Sequence, residues 1–246
     1  MIFSANIDSM HRFYLNQQPD KEIILIKDRQ LVHQIRNVLK IHKGERVAFF
    51  NDKAEYIGHD FVCELKNIEG SSAAVFMFRE KIENAREPTK KLILYQSLIK
   101  KDKFEWVLEK ATEVGVREIV PVISERSEKK SLNKERCASI LKEATEQSGR
   151  AVIPKLHDVV NFDRALALAE TSRAKNYFAY EAERENTIRG VGDRAINLFI
   201  GPEGGWSDQE VFAVQRRPTF EIISLGRITL RSETAAVVAS YTLLWG

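Results

Sequence analysis

The sequence predicts an α/β protein with a small front domain rich in β-strands and a larger back domain built on a parallel sheet. Residues 22–79 show short β-type runs separated by turn residues, whereas strand-like and helix-like segments alternate after residue 90. Near the C-terminus, two strand–loop–helix units follow one another. Tandem units of this kind are typical of a parallel sheet with a ligand crevice at the carboxyl ends of its strands.

The front domain contains four predicted strands separated by turns such as Asn51-Asp52 and Glu69-Gly70. A short helix fits within residues 27–39. The strands are predicted at residues 22–27, 46–50, 55–65 and 72–78, a pattern that predicts a small β-barrel. The polar segment from Arg79 to Thr89 ends near a proline and has no apolar period, so it is predicted to be a linker.

The back domain begins with six alternating elements that no repeat or low-complexity stretch interrupts. Strands are predicted at residues 91–96, 118–123 and 176–180, and helices at residues 104–114, 131–149 and 162–170. With 246 residues, 43% of them hydrophobic, the chain can bury the core of one large or two modest domains.

The first of the two loop units is the apolar run Leu198–Ile200 followed by Gly201-Pro202-Glu203-Gly204-Gly205. Ser207 and Glu210 have capping-box spacing, which places a helix start directly after the loop. Glycine loops at helix N-termini ordinarily bind phosphate, but Glu203 lies among the glycines, and both common nucleotide-phosphate motifs are missing. A carboxylate there favours a ligand with ammonium or sulfonium charge. The alternative is a tight turn in which Glu203 is solvated or caps its neighbours.

The second loop unit follows the β-type run Phe220–Ile223 and contains Leu225, Gly226 and Arg231. Ser232 is predicted to cap an apolar terminal helix over residues 235–245, whose spacing is helical. This helix carries almost no charge, as expected of one buried on more than one side. A dimer interface and the core of a monomer give the same pattern.

Composition bounds the remaining possibilities. The sequence has no transmembrane run of about 18 apolar residues and no signal peptide, so a cytoplasmic protein is expected. Cys63 and Cys137 have no Cys or His neighbours in the sequence, and we expect no metal site. The net charge of +3 is too small to indicate nucleic-acid binding by itself. Basic clusters, such as Lys100-Lys101-Asp102-Lys103, are candidate phosphate contacts, although most such runs are solvated surface.

Five ordered segments that span most of the chain resemble a known family, the SPOUT-class RNA methyltransferases of the RsmE type. They are His33–Lys40, Leu94–Lys100 with Glu109–Val116 and Ile119–Ser127, Glu143–Arg150, and the two loop units. The resemblance implies a PUA-like RNA-binding β-barrel domain at residues 1–80 and a SPOUT methyltransferase domain at residues 90–246, with a deep trefoil knot near the C-terminus.

The resemblance also implies an activity and partners. Members of the family methylate N3 of a uridine in 16S ribosomal RNA with S-adenosylmethionine. We expect the partner to be 16S ribosomal RNA within the 30S subunit, with naked RNA as the alternative substrate, and we expect the protein to be a homodimer. Family chains often begin at a Met-x-Arg-Phe segment, here Met10–Phe13, so residues 1–9 are predicted to be an extension. The family often has an arginine two residues after Gly226, where this chain has Ile228, with Arg227 one place earlier.

Site residues are carried over by position. Arg231 is expected to position the uracil carbonyl or stabilise the anionic ring, and Glu233 or Glu203 to accept the N3 proton; the alternative for each is a salt bridge or a helix cap. The residues expected to bind the cofactor are Ile200, Gly201, Pro202, Glu203, Gly204, Gly205, Leu225, Gly226, Leu230, Thr234 and Ala235. The expected RNA or interface contacts are Arg12, Arg36, Arg126, Gln147 and Arg150.

Two competing functions remain open on the sequence. One is a non-catalytic RNA-binding protein whose back domain is a degenerate scaffold, although its glycine loops are intact. The other is an ordinary nucleotide-binding α/β enzyme, which the acidic loop disfavours.

Overall fold

The structure, a computed structural model, describes residues 10–70, 72–190 and 192–246. The predicted extension at residues 1–9 lies outside the described residues. The chain forms two compact units by its internal contacts. Among the described residues, the first contains those up to Glu87 together with Gly149–Val152, and the second contains those of Pro88–Ser148 and Ile153–Gly246.

The first unit is built on a five-stranded mixed sheet with the strand order β1-β3-β4-β5-β2. Strand β1 pairs with β3 in parallel and the other neighbours are antiparallel. Asp28 caps a short helix, α1, which continues as a π-helical turn at Gln34–Val38. The bounds are Arg12–Tyr14 (β1), Ile23–Ile26 (β2), Arg29–His33 (α1), Arg46–Phe50 (β3), His59–Glu69 (β4) and Ala73–Glu83 (β5).

The linker predicted from Arg79 onwards is wrong over its first five residues. Strand β5 continues through Glu83, and Glu80 and Glu83 pair with Val62 and His59 of β4. No side chain in this end of β5 is fully buried, so the stretch has no strong apolar alternation and resembles a polar loop in the sequence.

The second unit is built on a seven-stranded sheet in which every pairing is parallel, as the sequence predicts. The strand order is β12-β10-β11-β6-β7-β8, and β9 pairs with β7. The bounds are Lys91–Ser97 (β6), Lys101–Val114 (α2), Glu118–Ile123 (β7), Lys134–Ser148 (α3), Lys155–Leu156 (β8), Val160–Asn161 (β9), Phe162–Thr171 (α4), Lys175–Ala179 (β10), Ala195–Ile200 (β11), Asp208–Gln215 (α5), Phe220–Ile223 (β12) and Ser232–Trp245 (α6).

Both faces of this parallel sheet are covered, which explains its continuous apolar strands. Leu94 of β6 and Leu198 of β11 belong to one core with residues of α2 and α6. Their neighbours Tyr95 and Phe199 point to the opposite face, where their rings stack with centroids 4.3 Å apart. The two central strands β6 and β11 therefore pack against side chains on both faces of the sheet, and this packing holds their carboxyl ends, from which the following loops begin, in place.

No helix within residues 10–70, 72–190 and 192–246 has both the length and the hydrophobicity to cross a membrane. Over the same ranges, no group of three or more His, Cys, Asp and Glu side chains is placed to hold a metal ion.

Candidate cofactor site

The two glycine-containing loops meet in space. They line one cavity of about 320 Å³ at the carboxyl ends of β11 and β12. This volume lies at the lower end of the range typical of small-molecule sites, about 300 to 1,000 Å³. The first loop contributes Ile200, Gly201, Pro202, Glu203, Gly205 and Trp206, and the second contributes Ser224, Leu225, Gly226, Ile228, Thr229, Leu230, Arg231, Ser232 and Ala235.

The first loop is held by the helix and the aromatic side chain that follow it. Ser207 and Glu210 form both hydrogen bonds of a capping box at the start of α5, as the sequence predicts. Trp206 is buried, and its Nε1 donates to the carbonyl of Ala179 at 3.0 Å. A Cβ on Gly201 would lie 3.1 Å from the Trp206 ring, so the close approach requires glycine there.

The second loop ends differently from the prediction. Ser232 is not the N-cap of α6; that position is held by Arg231, whose side chain makes no capping bond. The Ser232 hydroxyl instead donates to the carbonyl of Gly201 and accepts from Nε2 of Gln96 at 3.0 Å. Gln96 is fully buried at the carboxyl end of β6. The serine therefore joins the start of α6 to the first loop through a buried contact.

The acidic loop is paired with a lysine that the sequence interpretation did not place in the site. Lys103 Nζ lies 3.4 Å from Glu203 Oε1, and the backbone N–H of Lys100 donates to the same oxygen at 3.4 Å. Lys103 Nζ also lies 3.7 Å from Glu233 Oε1. The negative charge of Glu203 is thus partly balanced before any ligand binds, and the two carboxylates share one ammonium group.

Three of the residues predicted for the site do not line the cavity: Gly204, Thr234 and Glu233. The carbonyl of Gly204 faces Arg126, whose Nη1 donates to it at 2.9 Å. Glu233 Oε2 is buried and has no hydrogen-bond partner among the described residues. Arg231 lines the cavity and is exposed. The other predicted cofactor residues are all brought together.

Two of the predicted RNA contacts are buried. Arg12 is 8% exposed and donates to Asp60 Oδ1 from Nε at 2.9 Å and from Nη2 at 2.6 Å. Arg150 is 3% exposed, and its Nη2 donates to Glu87 Oε2 at 2.7 Å. Both guanidinium groups hold the first unit together and are not presented on its surface, which disfavours a direct RNA contact by either.

The remaining predicted contacts are accessible. Arg36 is exposed, and its Nη1 donates to the carbonyl of Gly70 at 2.5 Å. Gln147 is exposed near the end of α3, and Arg126 reaches the outer side of the glycine loop.

Comparison with known proteins identifies the family. Residues 85–244 match the RNA methyltransferase domain family. A protein of Bacillus subtilis named ribosomal RNA small subunit methyltransferase E is 30% identical over 225 residues, which cover 85% of this chain and 84% of that protein. The chain belongs to the ribosomal RNA small subunit methyltransferase E family. A second member, from Rickettsia conorii, is 29% identical over 93% of both chains.

Solved structures of similar proteins agree with the family assignment. A ribosomal RNA small subunit methyltransferase E from Neisseria gonorrhoeae, bound to S-adenosyl methionine, is 28% identical and matches with a TM-score of 0.80 over 94% of this chain and 95% of its own. A putative methyltransferase from Legionella pneumophila, in complex with the same cofactor, is 26% identical with a TM-score of 0.79 over 94% of this chain and 95% of its own. The resemblance to the methyltransferase E family seen in the sequence is confirmed.

Proposed function

We propose that this chain transfers a methyl group from S-adenosylmethionine to N3 of a uridine in 16S ribosomal RNA of the small ribosomal subunit. The observation that carries the proposal is the convergence of the loops of two consecutive strand–loop–helix units on one cavity at the carboxyl ends of β11 and β12. The names of the chain's relatives support the ribosomal RNA of the small subunit as the substrate.

The residues of the cavity fit the cofactor. Gly201 and Gly205 allow Trp206 and Glu181, which both line the cavity, to pack closely against the loop backbone, and Gly205 has a φ of 70°, which favours glycine. The cavity is lined by apolar groups, by the carboxylates of Glu181 and Glu203 and by the cationic side chains of Lys103, Arg184 and Arg231. The sequence has no phosphate-binding motif, and the carboxylate of Glu203 within the glycine loop suits a sulfonium ligand better than a polyphosphate. Main-chain groups of Gly201, Gly205, Leu225, Gly226 and Leu230 would hold the cofactor. When bound, it supplies a methyl group on a positively charged sulfur that is already a good leaving group.

The protein's own task is to place the uracil ring and accept one proton. Arg231 is exposed at the cavity, where its guanidinium suits a uracil carbonyl or the negative charge that develops on the ring as the N3 proton leaves. Glu203 lines the cavity whereas Glu233 does not, and this favours Glu203 as the proton acceptor. Holding the two reactants in near-attack geometry can contribute about 7 to 11 kcal/mol at best.

The two units would divide the work. In the proposed arrangement the first unit is a PUA-like barrel that binds RNA, and Arg36 is its accessible candidate contact. The second unit is the SPOUT methyltransferase domain, whose knot remains a prediction. Arg126 and Gln147 are the candidate RNA or interface contacts there. Because the substrate is ribosomal, we place the protein in the cytoplasm, acting on the 30S subunit.

We also propose a homodimer. Helix α6 exposes Val238, Tyr241 and Trp245, which are 42%, 58% and 51% accessible in the single chain. The almost uncharged helix is therefore not covered on all sides by its own chain. Contiguous exposed apolar surface favours a protein partner, here a second copy. Light scattering that gives the mass of one chain in solution would contradict this assignment.

Two measurements test the function. Isothermal calorimetry should show binding of S-adenosylmethionine, with ATP and NAD inert; binding of ATP or NAD instead would favour an ordinary nucleotide enzyme. Mass-spectrometric mapping of 16S ribosomal RNA incubated with and without the protein should then show one methylated uridine. A protein that binds the cofactor and RNA but leaves every uridine unmodified would be a scaffold.

A further inference from the structure

One lysine that lines the cavity contacts both the first glycine loop and the start of α6. Lys103 lies in the first turn of α2, and its ammonium group is 3.4 Å from the carboxylate of Glu203 and 3.7 Å from that of Glu233. Glu203 belongs to the glycine loop after β11, and Glu233 lies in the first turn of α6. One side chain from a third segment therefore joins the two segments that form the site.

These three side chains are partly shielded from solvent, so their electrostatic interactions are stronger than those of fully exposed ion pairs. Their exposed fractions are 25% for Lys103, 28% for Glu203 and 14% for Glu233, so salt screens them less than fully exposed charges. Without the ammonium group, two carboxylates that share one partner would face each other and repel. This repulsion would act to separate the glycine loop from the start of α6.

Lys103 has two conceivable effects on a cationic ligand, and the contacts favour one of them. Its charge alone would oppose binding of a sulfonium compound. Its bridging of Glu203 and Glu233 would instead preserve the shape of the cavity. Glu233 pairs with Lys103 although Glu233 does not line the cavity. This contact therefore connects α2 with α6 and does not contribute a group that faces the ligand.

We propose that Lys103 is a positioning residue that holds the glycine loop and the start of α6 in the arrangement that binds the cofactor. The proposal rests on the proposed function, because it assumes that this cavity binds S-adenosylmethionine. The buried hydrogen bonds of Ser232 to Gly201 and Gln96 already join the start of α6 to the glycine loop, and Lys103 adds a second connection between the same two segments.

The test compares two ligands that differ in charge. S-adenosylhomocysteine lacks the transferred methyl group and the sulfonium charge, but otherwise fills the same space. Calorimetry is carried out with both ligands on the parent protein and on Lys103→Met and Lys103→Arg. If Lys103 positions the loops, Lys103→Met weakens both ligands by the same factor, on the order of tenfold. Lys103→Arg keeps both within about threefold, since it can still bridge the two carboxylates.

A matched control lies in the same turn of the same helix. Lys101 is exposed, pairs with Glu105 at 3.8 Å and does not line the cavity, so Lys101→Met should leave both affinities unchanged. The melting temperature of the ligand-free Lys103→Met protein should stay close to that of the parent, because partly exposed ion pairs contribute little to stability. A general loss of structure would lower it and would not be rescued by arginine.

The outcomes separate the two proposals. If Lys103→Met binds S-adenosylmethionine more tightly and S-adenosylhomocysteine unchanged, Lys103 acts only through its charge and the positioning role is wrong. Unchanged affinity for both ligands also overturns it. A parent protein that binds neither ligand overturns the proposed function itself, whatever the variants do.

Discussion

Two groups of paired carboxylates and basic side chains, one in each unit, differ in burial and in function. In the first unit, Asp60 is 1% exposed and accepts hydrogen bonds from Arg12 and Asn84. In the second unit, Lys103 shares its charge between Glu203 and Glu233 beside a cavity, and one oxygen of Glu233 is buried without a partner among the described residues. The first group is closed and stabilises the fold, whereas the second is incompletely paired and open to a ligand.

The largest effect is expected from breaking the closed group. Asp60→Ala leaves the buried guanidinium of Arg12 without its carboxylate, and we expect the free energy of unfolding to fall by about 3 to 5 kcal/mol, measured by urea denaturation. Arg46→Ala is the control, because Arg46 contacts Glu80 at 3.9 Å on the surface; its effect should not exceed about 1 kcal/mol. Equal losses in both variants would show that burial does not distinguish these pairs.

The cavity beside the open group, which Arg231 also lines, should respond in activity and not in stability. We expect Arg231→Ala to lower kcat on 30S subunits by about 100-fold, the loss typical of removing one donor to a developing negative charge. The dissociation constant for S-adenosylmethionine should stay within a few-fold, as should the melting temperature. Arg227→Ala is a suitable control, since this exposed arginine does not line the cavity. Turnover that is unaffected by Arg231→Ala would remove this residue from the site.

A reversal of charge within the open group should weaken the cofactor. Glu203→Lys places a second ammonium group against Lys103 and in the path of a positively charged ligand, and we expect calorimetry to show a loss of affinity of about tenfold or more. Glu203→Gln, which only removes the charge, should lose less. If the lysine variant binds as tightly as the parent, the charge of this loop does not select the ligand.

The smallest effect on stability is expected from a third group of charged side chains, formed by Glu118 at the start of β7 with Lys91 and His157, which is intermediate in burial. Burial opposes ionisation of Glu118, but hydrogen bonds from Lys91 and His157 outweigh it, and the net result is a lowered pKa. A carboxyl whose pKa is lowered on folding stabilises the protein above its unfolded pKa, and this contribution is lost as the pH falls through the folded pKa. Glu118→Gln should therefore reduce stability at neutral pH and have no effect at strongly acidic pH, measured by thermal unfolding. The same loss at both pH values would rule out a role for the charge.

The sequence was sufficient for the parallel sheet, the capping box of Ser207 and the two loops, because these depend on local patterns of apolar residues and glycine. It was insufficient for Lys103, whose partners come from two distant segments and whose neighbours Lys100 and Lys101 look alike in the sequence. It also gave no sign that Arg12 is buried, because charge patterns do not report burial. Ser232 has the residue type of a helix cap, but the nearby carbonyl of Gly201 provides a better partner.

The return of Gly149–Val152 to the first unit has a consequence for biosynthesis. Asn84 donates to the carbonyl of Gly149, and Glu87 binds both Arg150 and the backbone N–H of Ala151. Domains generally fold as they leave the ribosome, the N-terminal one first. Here the leading portion cannot complete its contacts until the exit tunnel has released residue 152, by which time β6, α2, β7 and α3 have also been synthesised. The nascent chain must therefore keep its first portion unfinished while the second is already emerging.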